Sequence, residues 1–260
     1  MLNYNTYLNE DTDQWITLIH GAGGSSTIWF KQLRSFKSEF NVLVVDLRGH
    51  GKSKFSFQRN YNFDLVTQDI IEVLDQLKIE KSHFVGISLG TILIRNIAEQ
   101  YPDRIQSMIL AGAVMKLNLK SRVLMKLGIV FKSIIPYMLL YKLFAFIIMP
   151  KKNHKKSRLL FIQEAKRLYQ KEFIKWFKMT AEIKPLLNLF REKELQIPAL
   201  YLMGAEDHLF LPSVKHLVAS HRKSELIIVE NCGHVVNVEQ PLIFNEKSLN
   251  FFRSQSGNLS

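Results

Sequence analysis

A serine between two glycines is the first feature of this sequence that could carry chemistry. Gly86-Ile87-Ser88-Leu89-Gly90 has the Gly-x-Ser-x-Gly spacing of a nucleophile elbow, a tight turn that presents a serine to a carbonyl carbon. An apolar run precedes it and a helical pattern follows it, which is the context that such an elbow requires. Ser88 is therefore a candidate nucleophile. The alternative is a glycine-rich turn whose serine has no chemical role.

Two more polar residues follow later apolar runs. Asp207 comes shortly after a predicted strand at 199–203, and His234 comes shortly after one at 226–230. The carboxyl ends of parallel strands lie at one edge of a sheet, where ligands bind in open α/β folds. We therefore expect Ser88, Asp207 and His234 to gather at one place.

These three residue types fit nucleophilic catalysis. A serine hydroxyl is a weak nucleophile and needs a base. His234 can take its proton and later return it to the leaving group. A carboxylate beside the histidine would hold the imidazole in one tautomer and stabilise its protonated form. Asp207 and Glu206 are both candidates for this acid.

A glycine-rich loop follows the first predicted strand, where residues 21–26 read Gly-Ala-Gly-Gly-Ser-Ser. The dinucleotide fingerprint fails here because Ser26 stands where its third glycine belongs. The Gly-Lys-Ser/Thr ending of a phosphate-binding P-loop is also missing. The pair His20-Gly21 after a strand instead suits a loop that offers a backbone N–H to an oxyanion.

The elements that must position these residues alternate between strands and helices. Helical spacing of apolar residues predicts helices at 64–77 and 91–100, the first with Asp69, Glu72 and Asp75 on its polar side. Alternation of this kind favours a mostly parallel sheet covered on both faces. Apolar runs rich in branched side chains predict strands at 15–20, 41–46, 83–87, 107–111, 199–203 and 226–230.

Residues 115–195 differ from both flanks in charge and in pattern. They carry 19 Lys and Arg against 5 Asp and Glu, although the net charge of the whole 260-residue chain is only +12. The pattern there is helical, without clear strands. We interpret this segment as a helical cap inserted into an α/β core formed by residues 1–114 and 196–260.

Two long helices are expected in this cap, at 123–149 and 159–180. Three lysines and a proline interrupt the apolar stretch of the first, whereas a spanning helix needs about 20 residues with few or no charges. Lid helices are therefore favoured over a transmembrane span. The predicted breaks are Gly128, Pro136, Pro150 and Pro185.

Five motifs in this order resemble the α/β-hydrolase superfamily, and the resemblance covers nearly the whole chain outside the cap. It implies an α/β-hydrolase fold with an inserted helical cap, similar to the small capped esterases and C–C hydrolases. The short segment before Trp15 departs from the family and leaves room for little more than one strand. The motifs are His20-Gly21, residues 46–53, 86–90 and 204–207, and Gly233-His234 with the Glu239-Gln240-Pro241 that follows.

The resemblance also implies the site. It identifies Ser88, Asp207 and His234 as a catalytic triad. Asp207 is favoured over the glutamate before it because a shorter carboxylate at that turn matches the family. The backbone N–H groups of Ala22 and Leu89 would form the oxyanion hole.

Five other residues are expected to be structural. We expect His20 to brace the oxyanion loop, and His50 and Arg48 to hold the shape of their own loop. His83 begins a strand and is interpreted as a packing residue. Cys232, the only cysteine, excludes intramolecular disulfides and multi-cysteine metal sites, and we expect an inert buried thiol.

The favoured activity is that of a serine hydrolase acting on an ester or thioester with an apolar acyl group. A C–C bond hydrolase, or an elimination-type synthase of the menaquinone-pathway kind, would use the same triad and stays open. So does a ligand receptor of low turnover on the same fold. Dehalogenases and epoxide hydrolases are disfavoured, because those relatives carry an aspartate where this chain has Ser88.

Composition limits the partners. The eight histidines show no metal-ligand spacing, so we expect neither metal nor cofactor. The basic residues accompany apolar helices without a nucleic-acid-reading motif, which disfavours nucleic acid as a partner. The polar first 14 residues do not resemble a signal peptide, and we expect a cytoplasmic protein. Contact of the basic cap with anionic membranes is a further hypothesis, and the oligomeric state stays open.

Overall fold

The centre of the structure is a seven-stranded sheet. The computed structural model describes residues 1–53, 60–117 and 136–256, apart from the side chains of residues 181 and 256. The strands are β1 (Asn3–Tyr7), β2 (Trp15–Ile19), β3 (Asn41–Asp46), β4 (Ser82–Ile87), β5 (Ile105–Ala111), β6 (Ala199–Gly204) and β7 (Ser224–Val229). Their order is β1-β3-β2-β4-β5-β6-β7, with β1 antiparallel to β3 and the other neighbours parallel.

The six predicted strands and both predicted core helices are confirmed, to within two residues at each end. β1 is the single strand for which the segment before Trp15 left room. The helices are α1 (Leu33–Lys37), α2 (Phe63–Gln76), α3 (Leu89–Gln100), α4 (Tyr137–Ile148), α5 (Lys155–Ala165), α6 (Gln170–Lys178), α7 (Thr180–Glu192), α8 (Leu211–Val218), α9 (Val236–Glu239) and α10 (Pro241–Ser256).

Apolar layers cover both faces of the sheet, as predicted. In β3, Leu43 and Val45 pack into the layer that contains α2 and α3. Val42 and Val44 point the opposite way, into the layer that contains α1 and α10. Successive side chains of a strand face opposite sides, so a sheet covered twice has strands that are apolar throughout. This burial explains why β3 reads as a continuous apolar run.

Two titratable side chains, His83 and Asp69, are buried beside the sheet. His83 in β4 lies against the rings of Phe40 and Phe252, and burial lowers the pKa of its imidazole to about 4. The packing role expected for His83 is thus confirmed. Asp69 of α2, in contrast, was expected on the polar side of its helix. That expectation is wrong, because Asp69 is buried and accepts a 2.7 Å hydrogen bond from Arg48 Nε.

The described part of the segment between β5 and β6 is helical. α4 begins directly after Pro136 and ends before Pro150, so these two breaks are confirmed. The earlier part of the predicted helix at 123–149, with Gly128, falls among residues 118–135, outside the described residues. We call α4 to α7 the inserted helices.

The predicted single helix at 159–180 is wrong. α5 ends at Ala165 and α6 begins at Gln170. Between them Leu168 is buried against residues of α4 and α6, and its carbonyl accepts a 2.9 Å hydrogen bond from Tyr137 Oη. The turn between α5 and α6 is therefore stabilised by a contact with α4. The periodicity of residues 159–180 could not reveal this contact.

The break predicted at Pro185 is also wrong, since this proline lies inside α7. A proline inside a helix removes one backbone hydrogen bond and costs about 3 kcal/mol. Ile183, Leu187 and Phe190, on one face of α7, are buried in the core. Burying apolar side chains of this size stabilises by about 1.5–3 kcal/mol each, which outweighs the proline.

The inserted helices are fastened to the core at several points. Trp176 Nε1 of α6 donates to the carbonyl of Arg48 at 2.9 Å, and Tyr61 Oη donates to Glu172. At the other end, Arg95 Nη2 donates to the carbonyls of Phe190 and Lys193, both at 3.2 Å. These contacts hold the helices over the carboxyl ends of the central strands. Among the described helices, none has the length and hydrophobicity needed to cross a membrane.

Candidate active site

Ser88 sits at the turn between β4 and α3 in a conformation that few residues adopt. Its φ of 54° and ψ of −115° place a non-glycine residue at positive φ, which is characteristic of strained functional positions. The Ser88 N–H donates to the carbonyl of Ala111 at 3.0 Å and helps to hold the turn.

The two glycines of the motif are required by packing. A Cβ on Gly86 would lie 2.8 Å from the backbone carbon of Gly90. A Cβ on Gly90 would collide with the carbonyl oxygen of Ile19 in the neighbouring strand. The chain can therefore make the tight strand-to-helix turn that the sequence predicted only with glycine on both sides of Ser88.

Asp207 and His234 meet beyond the ends of β6 and β7. His234 Nδ1 donates to Asp207 Oδ2 at 2.8 Å, and both side chains are buried. The N–H of Phe210 donates to the other carboxylate oxygen at 3.2 Å. Because a carboxylate only accepts hydrogen bonds, the proton of the neutral ring lies on Nδ1. His234 Nε2 is buried without a hydrogen-bond partner among the described residues, and it can serve as a base toward Ser88, which lines the same cavity.

Glu206, the alternative acid, faces another direction. Its carboxylate accepts hydrogen bonds from Lys151 Nζ and Asn153 Nδ2, each at 2.8 Å, and from His154 Nε2 at 2.7 Å. The bonds from Lys151 and Asn153 lower the pKa of Glu206 to about 2. The structure thus joins His234 to Asp207 and leaves Glu206 bound to the segment between α4 and α5.

Two neutral histidines brace the glycine-rich loop. His20 Nδ1 donates to the Gly21 carbonyl at 2.7 Å, while its Nε2 accepts from the N–H of Leu47 at 3.0 Å. His50 Nε2 accepts from the N–H of Gly23 at 3.0 Å. Burial lowers the pKa of His20, and it lowers the pKa of His50 to about 3. The role expected for His20 is thus confirmed. His50 Nδ1 also donates to the Arg48 carbonyl at 3.1 Å, so His50 holds its own loop as expected and braces the glycine-rich loop as well.

The braced loop presses directly against the serine. A Cβ on Gly21 would lie 3.2 Å from Ser88 Cβ. The N–H groups of Ala22 and Leu89 donate to no acceptor among the described residues, and both residues line a cavity with Ser88. Leu89 begins α3, where the first N–H groups of a helix lack partners within it. These two groups are therefore free to bind a negatively charged oxygen attached to a substrate at Ser88.

Two cavities meet at Ser88, which lines both together with Ala22 and Ile148. The first, of about 110 Å³, also contacts His234, and we call it the small cavity. The second, of about 220 Å³, is the large cavity. Its wall is mainly apolar and aromatic and includes Phe144, Phe173, Trp176, Phe177, Ile183 and Phe210.

Residues of the inserted segment that the sequence analysis missed also reach the site. His154 is fully buried at the start of α5, and a Cβ on Gly233 would lie 2.7 Å from its Nε2. His154 also bonds to Glu206, 52 positions further along the chain, so no local sequence pattern marks His154 as part of the site. Ser157 and Glu164 line the small cavity. Their seven-residue separation places them on one face of a helix, but this spacing does not show which cavity that face lines.

No cluster of three or more His, Cys, Asp or Glu side chains suited to a metal ion occurs within residues 1–53, 60–117 and 136–256. Cys232, beside the loop of His234, is buried, and burial raises the pKa of its thiol. The thiol is therefore protonated near neutral pH, as expected for an inert cysteine.

Known proteins resemble the chain along most of its length. The model of the family described as alpha/beta hydrolase fold matches residues 14–128. An uncharacterized carboxylesterase of Bacillus subtilis is 24% identical over 93% of this chain and 80% of its own length. The 3-oxoadipate enol-lactonase 2 of Acinetobacter baylyi is 24% identical over 94% of this chain and 90% of its own length. The structure of MenH from S. aureus superimposes with a TM-score of 0.82 at 21% identity, covering 98% of this chain and 100% of that chain.

Proposed function

Because this chain belongs to the α/β-hydrolase superfamily, we propose that it is a serine hydrolase cleaving an ester or thioester with an apolar acyl group. The observation that carries the proposal is the pair of groups facing the small cavity. Ser88, at positive φ, and His234, whose Nε2 has no hydrogen-bond partner among the described residues, both line this cavity. A strained serine and an available imidazole nitrogen in one cavity are suited to nucleophilic attack.

In the proposed mechanism, Ser88 Oγ attacks the carbonyl carbon while its proton passes to His234 Nε2. Asp207 holds the imidazole through Nδ1 and stabilises the imidazolium. The N–H groups of Ala22 and Leu89 bind the oxyanion, each worth ~3 kcal/mol in the transition state. The bond to the leaving group then breaks, and the leaving group takes the proton from His234. Water hydrolyses the acyl-enzyme by the same steps.

The inserted helices act as a cap in this proposal, and they support the choice of substrate. The large cavity has twice the volume of the small one and a mainly apolar wall, so it receives the acyl chain. A pocket of this kind binds apolar groups and excludes water from the reacting carbonyl. The leaving group lies in the small cavity, beside the histidine that protonates it.

A series of p-nitrophenyl esters from acetate to palmitate tests this function. Each methylene buried in the large cavity should raise kcat/KM about fourfold, since it contributes about 0.8 kcal/mol. The increase should stop when the chain fills the cavity. A β-diketone in the same assay examines the C–C hydrolase alternative. Cleavage of the diketone with no turnover of any ester would refute the ester hydrolase.

We also propose that the basic cap touches anionic membranes. Leu139, Leu143 and Phe146, spaced along one face of α4, are 57%, 48% and 54% exposed. Exposed lysines follow in the next segment, at Lys152 and Lys155. An apolar stripe beside basic side chains suits interfacial binding, in which each nearby Lys or Arg contributes about 1 kcal/mol.

Sedimentation with vesicles tests this contact. The protein should sediment with vesicles containing phosphatidylserine at low salt, less so at high salt, and not with phosphatidylcholine alone. Leu143→Gln combined with Phe146→Gln should weaken sedimentation, whereas Leu242→Gln, at an exposed leucine of another helix, α10, should not. Absence of sedimentation at low salt would eliminate the proposal.

A further inference from the structure

One face of α5 forms a wall of the small cavity. Ser157, Leu160, Phe161 and Glu164 all line it. Their spacing of three, four and seven residues places them along one side of a helix. The wall is therefore apolar in its middle and polar at both ends, in the same cavity that Ser88 lines.

Ser157 supplies an unsatisfied polar group at one end. Its side chain is 1% exposed, and its Oγ has no hydrogen-bond partner among the described residues. Buried hydroxyl groups are normally hydrogen-bonded, and an exception calls for an explanation. A polar group of a bound ligand would satisfy this hydroxyl.

Glu164 supplies a carboxylate at the other end. It accepts a 2.6 Å hydrogen bond from Ser25 Oγ, in the glycine-rich loop that also contains Ala22, and a 3.0 Å bond from Arg167 Nη1. Arg167 is 67% exposed whereas the Glu164 side chain is 10% exposed, so solvent screens the arginine end of this ion pair and much less the carboxylate end. A carboxylate can accept about four hydrogen bonds, and Glu164 therefore retains capacity toward the cavity.

The charge of the cavity walls contrasts with the charge of the inserted helices. No Lys or Arg lines either cavity among the described residues, and Glu164 is the only acidic residue in either wall. The lysines of α4 to α7 are thus absent from the walls of both cavities. An acidic substrate group would meet a carboxylate in a poorly solvated space, where like charges repel strongly.

We propose that the small cavity is a recognition site for a leaving alcohol that carries a hydrogen-bond donor, a hydroxyl or an ammonium group, bound by Glu164 and Ser157. This inference rests on the proposed ester hydrolase function and extends it to the alcohol side of the substrate. Both residues act by positioning and selecting the leaving group, and neither contributes to the bond-breaking steps.

Three butyrate esters that differ only at the end of the alcohol test the proposal: pentyl, 5-hydroxypentyl and 5-carboxypentyl butyrate. We expect kcat/KM to be about tenfold higher for the hydroxyl ester than for the pentyl ester, because a hydrogen bond to a charged group is among the stronger ones. The carboxyl ester should be the poorest substrate. Glu164→Gln should raise the ratio of carboxyl to pentyl ester about tenfold, and Ser157→Ala should lower the ratio of hydroxyl to pentyl ester.

Glu192→Gln is the matched control, since it removes one negative charge from an exposed position of α7, away from both cavities. It should leave both ratios unchanged, that of carboxyl to pentyl ester and that of hydroxyl to pentyl ester. Ratios that are equally unchanged in Glu164→Gln and Ser157→Ala would overturn the recognition site while the hydrolase function stands. If no ester is turned over, calorimetry can still measure how tightly the uncleaved esters bind to Ser88→Ala. Equal affinity for the pentyl and hydroxypentyl esters would then overturn the recognition site.

Discussion

Replacement of Ser88 by alanine should abolish covalent labelling by a fluorophosphonate and lower kcat for ester hydrolysis by about 10⁵- to 10⁶-fold. The loss is large because members of a catalytic triad act as a unit, and removal of the nucleophile alone costs nearly as much as removal of all three. The oxyanion donors and the binding cavities would remain and account for the residual rate. Intact-protein mass spectrometry measures the label, and a p-nitrophenyl ester assay measures the rate.

Ser157→Ala is the matched control for labelling. Ser157 lines the same cavity as Ser88, but it lies on α5, without a histidine nitrogen or backbone N–H groups assigned to activate it. This variant should still take up one equivalent of the fluorophosphonate. A label that persists in Ser88→Ala, or that disappears in Ser157→Ala, would contradict the assignment of the nucleophile.

Asp207→Asn should lower kcat by about 10⁴-fold and leave the fold intact. The amide can donate a hydrogen bond to His234 Nδ1, which would favour the wrong tautomer and place the proton on the nitrogen that should act as the base. It also removes the negative charge that stabilises the imidazolium. Kinetics at mildly alkaline pH and a thermal melt separate the loss of activity from a loss of stability.

Glu206→Gln is the informative comparison, because the two carboxylates are adjacent in the sequence. Glu206 bonds to Lys151, Asn153 and His154 and not to His234. Its replacement should lower the melting temperature slightly and change kcat by only a few-fold. A loss of activity in Glu206→Gln that matches or exceeds the loss in Asp207→Asn would assign the acid to Glu206.

The sequence alone determined the features that depend on local sterics and alternation. Buried parallel strands need continuous apolar runs, so six strands could be placed to within two residues. A turn as tight as the one at Ser88 needs glycine on both sides, so the spacing of Gly86 and Gly90 was enough to predict the elbow. Ser88, Asp207 and His234 each follow a predicted strand, which predicted that they lie at one edge of a parallel sheet, although their catalytic roles stay predictions.

Only the tertiary structure decided which side chains meet. Both Glu206 and Asp207 follow β6, and the sequence favoured Asp207 only through the family resemblance. The structure bonds His234 to Asp207 and bonds Glu206 to Lys151 and His154, which lie far away in the chain. The same holds for Asp69, which the amphipathic pattern placed in water and the structure buries beside Arg48.

The inserted helices follow the same rule. The two ends of α4 were predicted from its flanking prolines. The later boundaries escaped prediction because a contact between helices fixed the turn at Leu168 and because core packing carried α7 through Pro185. The face of α5 that turns Ser157 and Glu164 into the small cavity was likewise invisible in a periodic pattern, since periodicity defines a face but not what it faces. Local propensity sets the elements, and long-range packing decides what each one touches.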